Sequence, residues 1–152
     1  MSKIVSIVNQ KGGVGKTTTA VNLAASLGVL EKNILLIDAD PQANTTSALG
    51  CDLNEENKVK TIYEVLEHHV KIEDSIIKNI SPNLDLIPSK IDLVGAEIEL
   101  VNQENREHML QIQLENIGEN YDFIIIDCPP SLGLITINCL CASDSIIIPI
   151  QC

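Results

Sequence analysis

The sequence predicts an α/β fold in which a mostly parallel β-sheet is flanked by helices. Short aliphatic segments of strand length alternate along the chain with segments of helical spacing, an order typical of parallel strands joined by right-handed crossovers. The aromatic residues are only Tyr63, Tyr121 and Phe123, so the core must be built from Ile, Leu and Val, as in buried parallel strands. The 152 residues suit a single domain, 1–152, and no linker or internal repeat divides them.

The elements follow from the hydrophobic pattern. Apolar runs predict strands over residues 3–9, 34–37, 84–88, 121–127 and 145–150. Helical spacing predicts helices over 16–30, 61–68 and 132–142, and a short helix near 72–78. Residues 45–60 are predicted to form a loop with one short turn, because Gly50 and the polar run 54–57 interrupt any longer period.

Two further apolar stripes at helical spacing are interpreted as core-facing surfaces of helices. They consist of Ile91, Val94, Ile98 and Val101, and of Leu110, Leu114 and Ile117. The last predicted strand stops where the chain stops, although loops that follow such strands usually complete the site of an α/β sheet. We therefore expect a fold truncated at its carboxyl end, whose open edge at 146–148 makes the chain poorly soluble.

A glycine-rich run of residues 10–18, QKGGVGKTT, lies between the first strand and the first helix. Its glycines let successive backbone N–H groups point at a polyphosphate, and the following helix offers its positive N-terminal end. The run departs from the usual P-loop, because Gln10 replaces the first glycine and Lys11 adds a second lysine. We interpret it as a variant nucleotide-binding P-loop; the alternative is a glycine-rich turn that binds nothing. The residues predicted to hold the nucleotide are Gly12, Gly13, Val14, Gly15, Lys16, Thr17 and Thr18.

Three aspartates stand where predicted strands end, on the side of the sheet that carries this loop. Asp127 ends an apolar strand, the usual position of a carboxylate that holds Mg²⁺ through water, and the Thr17 hydroxyl is placed to bind the same ion. Asp38 and Asp40 end another strand, and their spacing of two points both side chains to one face. One of the pair is expected to order the metal's water shell, and the other to orient a water that attacks the γ-phosphate. The alternative is that these aspartates only cap the helices that follow.

Stiff proline turns lie beside these carboxylates, at Pro41-Gln42 and at Pro129-Pro130. Such turns suit switch segments that take one position when a γ-phosphate is present and another when it has gone. Proline turns are common, so they support the nucleotide-binding interpretation only together with the carboxylates and the loop.

The composition excludes several classes of protein. The net charge is −11, from 10 basic and 21 acidic residues without a Lys/Arg cluster, so this stretch by itself should not bind DNA well. The five cysteines form no C-x-x-C pair, which predicts reduced thiols that act as small hydrophobic residues rather than metal ligands. No stretch resembles a signal peptide or is long enough to span a bilayer, so we expect a soluble, cytoplasmic protein.

Three runs together carry a resemblance to a known family. The loop Lys11–Thr18, the run DADPQANTT at residues 38–46 and DCPP at residues 127–130 closely resemble the ParA/Soj chromosome- and plasmid-partitioning ATPases, which have the P-loop NTPase fold of the deviant Walker A type. The resemblance extends from Ser2 to Cys152, and the run D-x-D-P-Q-x-N-x-T is typical of the ParA branch.

The resemblance implies roles for individual residues. Lys11 resembles the lysine that reaches the partner's phosphates across an ATP-sandwich homodimer, and Asp40 resembles the residue needed for hydrolysis. Lys16, Thr17 and Thr18 resemble the contacts to phosphate and Mg²⁺, with Asp38 and Asp127 near the metal. ATP would then hold the dimer together, hydrolysis would release it, and a ParB-type partner would stimulate hydrolysis. In this family the dimer binds DNA without sequence preference, and a complete protein would associate with the nucleoid; its DNA-contacting residues and much of the adenine pocket lie in a C-terminal part absent here.

Other functions stay open at this point. The chain could be a nucleotide-binding module that does not catalyse hydrolysis and acts only through interactions. It could also be a MinD-like, membrane-recruited division-site ATPase, although the run Asp40-Pro41-Gln42 disfavours this. Nitrogenase iron proteins share the two-lysine loop but bridge an Fe–S cluster with two cysteines per subunit, and here only Cys128 stands near a suitable place.

Overall fold

A single sheet with helices packed on both faces forms the framework of the protein. The computed structural model describes residues 1–13, 15–53 and 58–152, and in these ranges six strands form the sheet. The strands are β1 (Lys3–Ile7), β2 (Ile34–Asp38), β3 (Ile77–Ser81), β4 (Leu84–Ile87), β5 (Phe123–Asp127) and β6 (Ser145–Ile147). They lie in the order β3-β4-β2-β5-β1-β6. Every neighbouring pair is parallel except β3 and β4, which confirms the predicted α/β fold with a mostly parallel sheet.

The helices connect these strands. They are α1 (Lys16–Val29), α2 (Asn44–Ala48), α3 (Ile62–Leu66), α4 (Ala96–Glu99), α5 (Met109–Glu115) and α6 (Leu134–Ala142), and short 3₁₀ helices cover Ile72–Ser75, Ile91–Gly95, Leu100–Asn102 and Gly118–Asn120. No helix in the described ranges is both long enough and apolar enough to cross a membrane.

The two faces of the sheet bury separate apolar clusters. Leu35 and Ile37 of β2 point to the face covered by α3, α5 and α6, while Ile34 and Leu36 point to the face covered by α1. This alternation is the period of two that an extended strand imposes. Because β2 and β5 are buried on both faces, their sequences are almost continuously apolar, and this is why their apolar runs predicted them.

Strand register decides which residues meet at the carboxyl edge of the sheet. Asp38 at the end of β2 is the direct partner of Asp127 at the end of β5, and Ile7 at the end of β1 is the other neighbour of Asp127. The loop that follows β1 therefore emerges beside both carboxylates. The sheet itself brings together segments that are far apart in the sequence, since Asp127 lies 89 residues after Asp38 and 120 residues after Ile7.

Two predicted elements are wrong. The short helix near 72–78 is a 3₁₀ helix that ends at Ser75, and the following residues form the edge strand β3, which pairs antiparallel with β4. Residues 45–48 of the predicted 45–60 loop belong to α2, and residues 54–57 of that loop lie outside the described ranges. Both elements depend on partners outside the element itself, β4 for β3 and Asp38 for α2, which the hydrophobic periodicity within each segment does not reveal.

The two apolar stripes have different outcomes. Leu110, Leu114 and Ile117 are buried, as predicted. The other stripe is wrong: its four residues are between 46% and 75% exposed, and the side facing the core carries Leu93, Ala96 and Leu100. The segment 91–102 is apolar on both sides, so helical spacing alone fitted either side. The exposed residues are Ile91, Val94, Ile98 and Val101.

Candidate functional site

The glycine-rich loop leads from β1 into α1, which begins at Lys16 as predicted. Gly13 and Gly15 have φ angles of 74° and 79°, in the left-handed region that residues other than glycine rarely adopt. Apart from each glycine and its two neighbours in the chain, no described atom lies within 4 Å of the position that a Cβ would take on Gly12, Gly13 or Gly15. The loop therefore turns an open backbone surface towards the space above the sheet; Val14 lies outside the described residues.

A cavity of about 300 Å³ lies against this loop. It collects the predicted nucleotide-binding residues that the structure describes, together with a carboxylate and the two proline-containing turns. The lining consists of Lys11, Gly12, Gly13, Gly15, Lys16, Thr17, Thr18, Asp40, Gln42, Asn44 and Pro130. The cavity thus joins residues from the loop, from the segment after β2 and from the turn after β5.

Lys16 lies between two of the aspartates that were predicted to belong to the site. Its Nζ lies 2.9 Å from Oδ1 of Asp127 and 3.7 Å from Oδ2 of Asp40, and only 9% of its side chain is exposed. Two carboxylates surround one buried cation here, so the three groups together carry a net negative charge near the glycine-rich loop. An anionic ligand that reaches Lys16 must therefore compete with these carboxylates or bring a cation with it.

Asp127 is fully buried and accepts hydrogen bonds on both carboxylate oxygens. Its Oδ1 accepts from Lys16, while its Oδ2 accepts from the hydroxyl of Thr17 at 2.9 Å and from the hydroxyl of Thr45 at 2.7 Å. An oxygen-only group of a carboxylate and hydroxyls suits Mg²⁺, which takes few protein ligands and completes its shell with water and phosphate. Sequence reasoning missed Thr45, although it stands in the run 38–46 that was singled out.

Asp38 holds the start of α2 rather than facing Lys16. Its Oδ2 accepts from the backbone N–H and the hydroxyl of Thr46, at 2.8 Å and 2.6 Å, and its Oδ1 accepts from the N–H of Asp40 at 3.1 Å. Burial, with a smaller contribution from the nearby charge of Asp127, raises the pKa of the Asp38 carboxyl to about 6 despite these hydrogen bonds. The predicted role of Asp38 near a metal stays a prediction.

Asp40 and Lys11 both line the cavity but differ in exposure. Asp40 is 5% exposed, and its Oδ1 accepts a hydrogen bond from the backbone N–H of Gln42 at 3.0 Å. Lys11 is exposed, and its backbone N–H donates to the side chain of Asn9 at 2.8 Å. The structure therefore fixes the direction of the Asp40 carboxyl, whereas the Lys11 ammonium group extends into solvent beside the cavity.

The cysteines form no metal site among the described residues, where no group of three or more His, Cys, Asp or Glu side chains could hold an ion. Cys128 and Cys139 are buried and unpaired by disulfides. A hydrogen bond between these two thiols, together with burial, raises the pKa of Cys139 well above its usual value. Both side chains lie in the apolar cluster that covers one face of the sheet, which agrees with their predicted role as small hydrophobic residues.

Comparisons with known sequences find relatives over the whole chain. The profile of the AAA domain family matches residues 2–152. The chain is 53% identical over 152 residues to the sporulation initiation inhibitor protein Soj of Bacillus subtilis, covering 100% of this chain and 59% of that protein. It is 51% identical over 152 residues to the chromosome partitioning protein ParA of Myxococcus xanthus, covering 100% of this chain and 53% of that protein. The chain thus spans between half and three fifths of the length of these relatives.

Solved structures have the same fold. A crystal structure named cobyrinic acid a,c-diamide synthase, from Mycobacterium smegmatis with a bound ATP analogue and magnesium, matches with a TM-score of 0.93 and 38% identity, covering 100% of this chain and 61% of that one. A putative plasmid partition protein from Borrelia burgdorferi bound to AMPPNP matches with a TM-score of 0.87 and 39% identity, covering 97% of this chain and 62% of that one.

Proposed function

The chain belongs to the AAA domain family, among its ParA/Soj-type partitioning ATPases, and from this premise we propose that it binds MgATP, dimerises around it and hydrolyses it to drive DNA segregation. The observation that carries the proposal is the meeting of Lys16, Thr17 and Asp40 in one cavity under a glycine-rich loop, with Asp127 directly beneath. The structural relatives solved with ATP analogues, one of them with magnesium, support ATP and Mg²⁺ as the cofactors.

Nucleotide binding follows from the loop and from Lys16. The backbone N–H groups of Gly13, Gly15 and neighbouring residues, with the N-terminal end of α1, offer donors and positive potential to the phosphates. The Lys16 ammonium exchanges the Asp127 oxygen, now at 2.9 Å, for phosphate oxygens. Asp127 and the Thr17 hydroxyl would then hold Mg²⁺, Asp127 through water, and the ion would supply the positive charge that the carboxylate loses with Lys16.

Hydrolysis uses groups at the rim of the cavity. Asp40 orients the attacking water, because its carboxyl lines the cavity and its direction is fixed by the N–H of Gln42. Lys11 extends into solvent, where it can reach the phosphates bound by a second copy and stabilise the charge that develops on them. The nucleotide then lies between two copies of the chain, and loss of the γ-phosphate weakens the dimer.

Segregation requires partners beyond this chain. A ParB-type activator, the partner of this family, stimulates hydrolysis. DNA binds without sequence preference through parts of a longer protein rather than through this acidic stretch. The proposed location is the cytoplasm, at the nucleoid. The names of the Soj and ParA relatives support this role.

Two substitutions test the proposed function directly. Asp40→Ala should retain MgATP binding and ATP-dependent dimerisation but lose phosphate release by about a hundredfold or more, because the attacking water is no longer oriented. Lys11→Ala should bind MgATP yet stay monomeric, because the contact in trans is lost. Nucleotide binding is measured with a fluorescent ATP analogue, dimerisation by light scattering and phosphate release in steady state.

Matched controls replace residues of the same type far from the cavity. Asp74→Ala and Lys32→Ala change exposed side chains and should leave all three measurements as in the unmodified protein. Phosphate release that survives in Asp40→Ala would show that this carboxylate has no part in hydrolysis. Dimers that still form with ATP in Lys11→Ala would rule out the trans-lysine arrangement, and a protein that binds ATP without ever releasing phosphate would indicate an interaction module.

A further inference from the structure

The turn that joins β5 to α6, residues 128–133, forms part of the wall of the nucleotide cavity. It starts directly after Asp127 and ends at Gly133, the residue before α6. Pro130 in this turn lines the cavity together with Lys11 and Asp40. A displacement of the turn would therefore alter the wall of the cavity and the support of the Asp127 carboxylate.

A carboxylate from a distant element holds the start of α6. Glu97 of α4 accepts a hydrogen bond from the backbone N–H of Leu134 at 2.7 Å and another from the N–H of Ile135 at 3.2 Å. The first N–H groups of a helix have no partner within the helix, and negative charge is favourable there. Gly133 at the cap position has no side chain for this purpose, so Glu97 caps α6 from another helix.

Gly133 makes the space that Glu97 occupies. A Cβ built on Gly133 would have the carboxyl atoms of Glu97 as its three nearest neighbours, well inside van der Waals contact. The φ angle of Gly133 is −78°, which any residue can adopt, so its backbone conformation does not require glycine. The structure therefore requires a residue without a side chain at position 133 because the Glu97 carboxyl lies so close to it.

The turn is also tied to the body of α6. The hydroxyl of Thr136 donates a hydrogen bond to the carbonyl oxygen of Ser131 at 2.6 Å. Ser131 lies next to Pro130, and Thr136 lies in the first turn of α6, directly after the two residues that Glu97 caps. The position of the cavity wall thus depends on α6, and the position of the start of α6 depends on Glu97.

We propose that Glu97 is a positioning residue for ATP hydrolysis, which holds the turn 128–133 in place without touching the nucleotide. Glu97 is not among the residues that line the cavity, so its influence passes through α6 and the turn. The inference rests on the proposed function, because the reaction it assists is the hydrolysis proposed above.

The first test compares Glu97→Ala and Glu97→Gln with the unmodified protein. We expect kcat to fall about tenfold or more in Glu97→Ala, while the dissociation constant for MgATP changes by less than about twofold, because the loop that binds the phosphates is untouched. Glu97→Gln keeps one acceptor oxygen, so its kcat should lie between that of Glu97→Ala and that of the unmodified protein. The matched control is Glu99→Gln on the same helix, whose carboxylate contacts Tyr63 instead of α6 and which should keep full kcat.

The second test uses the contact between Gly133 and Glu97. Gly133→Ala should lower kcat in the unmodified background, because its methyl group displaces the carboxylate. In the Glu97→Ala background the space is empty, and the same substitution should cost nothing further. Equal effects of Gly133→Ala in both backgrounds, or a kcat for Glu97→Ala equal to that of the unmodified protein, would overturn the proposal.

A third measurement does not depend on hydrolysis. Hydrogen exchange at the N–H groups of residues 131–133 should slow when a slowly hydrolysed ATP analogue and Mg²⁺ bind the unmodified protein, and this protection should be lost in Glu97→Ala. If the unmodified protein releases no phosphate, the proposed function fails, yet exchange still decides whether Glu97 holds the turn. Protection that is the same in both proteins would contradict the positioning role even if hydrolysis occurs.

Discussion

Asp127 is the residue on which the hydrogen bonds of the site converge. One of its oxygens accepts from Lys16, and the other accepts from Thr17 and Thr45. These donors come from α1 and α2, so a single buried carboxylate ties the glycine-rich loop to the segment after β2. A ligand that takes Lys16 away from Asp127 changes the charge at this junction, which is a physical route from nucleotide binding to movement of both segments.

Another buried carboxylate, Glu67, lies away from this site. Burial, and then the nearby carboxylate of Glu99, raise the pKa of Glu67 to about 7. Its Oε2 lies 3.5 Å from the amide nitrogen of Gln103, and in the described ranges its buried Oε1 has no partner. The folded protein therefore binds a proton here that the unfolded chain releases near its ordinary carboxyl pKa of 4.5.

This proton makes stability depend on pH. The pKa of Glu67 is higher in the folded chain than in the unfolded chain. Its protonation therefore stabilises the fold fully below about pH 4.5, and this stabilisation is lost as the pH rises through about 7. Glu67→Gln, which resembles the protonated carboxyl, should therefore gain on the order of 1 kcal/mol relative to the unmodified protein between about pH 5 and about pH 8. The free energy of unfolding in urea, under reducing conditions, measures this gain.

The control for this prediction is Glu73→Gln, which changes an exposed acid on a neighbouring 3₁₀ helix. Its difference from the unmodified protein should not vary with pH. A difference between Glu67→Gln and the unmodified protein that is also constant across this pH range would mean that the Glu67 carboxyl titrates alike in the folded and unfolded chain.

Among the elements, the helical segment 91–102 shows how packing selects one of two apolar sides. Leu93, Ala96 and Leu100 are fully buried, whereas Ile98 and Val101 on the other side are 75% and 46% exposed. The buried side packs into the cluster that covers the sheet beside β2 and β5. Glu97, between the two sides, reaches α6, so this segment both fills the core and positions the turn after β5.

Two adjacent residues of this segment provide a matched pair for a stability test. Leu100→Ala should lower the free energy of unfolding by about 2–4 kcal/mol, because it leaves a cavity in the core. Val101→Ala should change it by less than about 0.5 kcal/mol, because its side chain already contacts solvent. Urea denaturation of both variants measures the two costs. If the two costs were equal, or reversed, the side assigned to the core would be wrong.

At the scale of the whole molecule, charge limits what this stretch can bind. The net charge is −11, and the single arginine, Arg106, is paired with Glu107 and the carbonyl oxygen of Val101. The cations nearest the cavity, Lys11 and Lys16, are the ones proposed to contact phosphates of a nucleotide. A duplex of much higher charge density meets a repulsive surface over the rest of the molecule.

We therefore expect the 152-residue chain to bind random-sequence DNA more weakly than about 10⁻⁴ M at about 50 mM salt, with or without MgATP. Fluorescence anisotropy of a labelled duplex measures this, with a basic DNA-binding protein as the positive control. Micromolar binding that weakens steeply with salt would show that a local cluster of lysines overrides the net charge, and it would assign DNA binding to this stretch.

What the sequence by itself determined is local in origin. The loop 10–18, the start of α1 at Lys16 and the apolar strands β2 and β5 depend on glycines, charges and periodicity within a few residues, so they could be predicted from the chain alone. Aspartates at the ends of parallel strands must lie on one edge of the sheet, so the meeting of Asp40 and Asp127 with the loop was also predictable.

Only the tertiary structure decided the contacts between residues far apart in the chain. Thr45 meets Asp127, and Glu97 caps α6, across 82 and 37 residues, and no local pattern marks either partner. The tertiary structure also decided that residues 77–81 form β3, through pairing with the next strand β4, and which side of 91–102 is buried. Local propensity limits which conformations a segment can adopt, but when two remain, the burial of apolar area and the pairing of buried polar groups select between them.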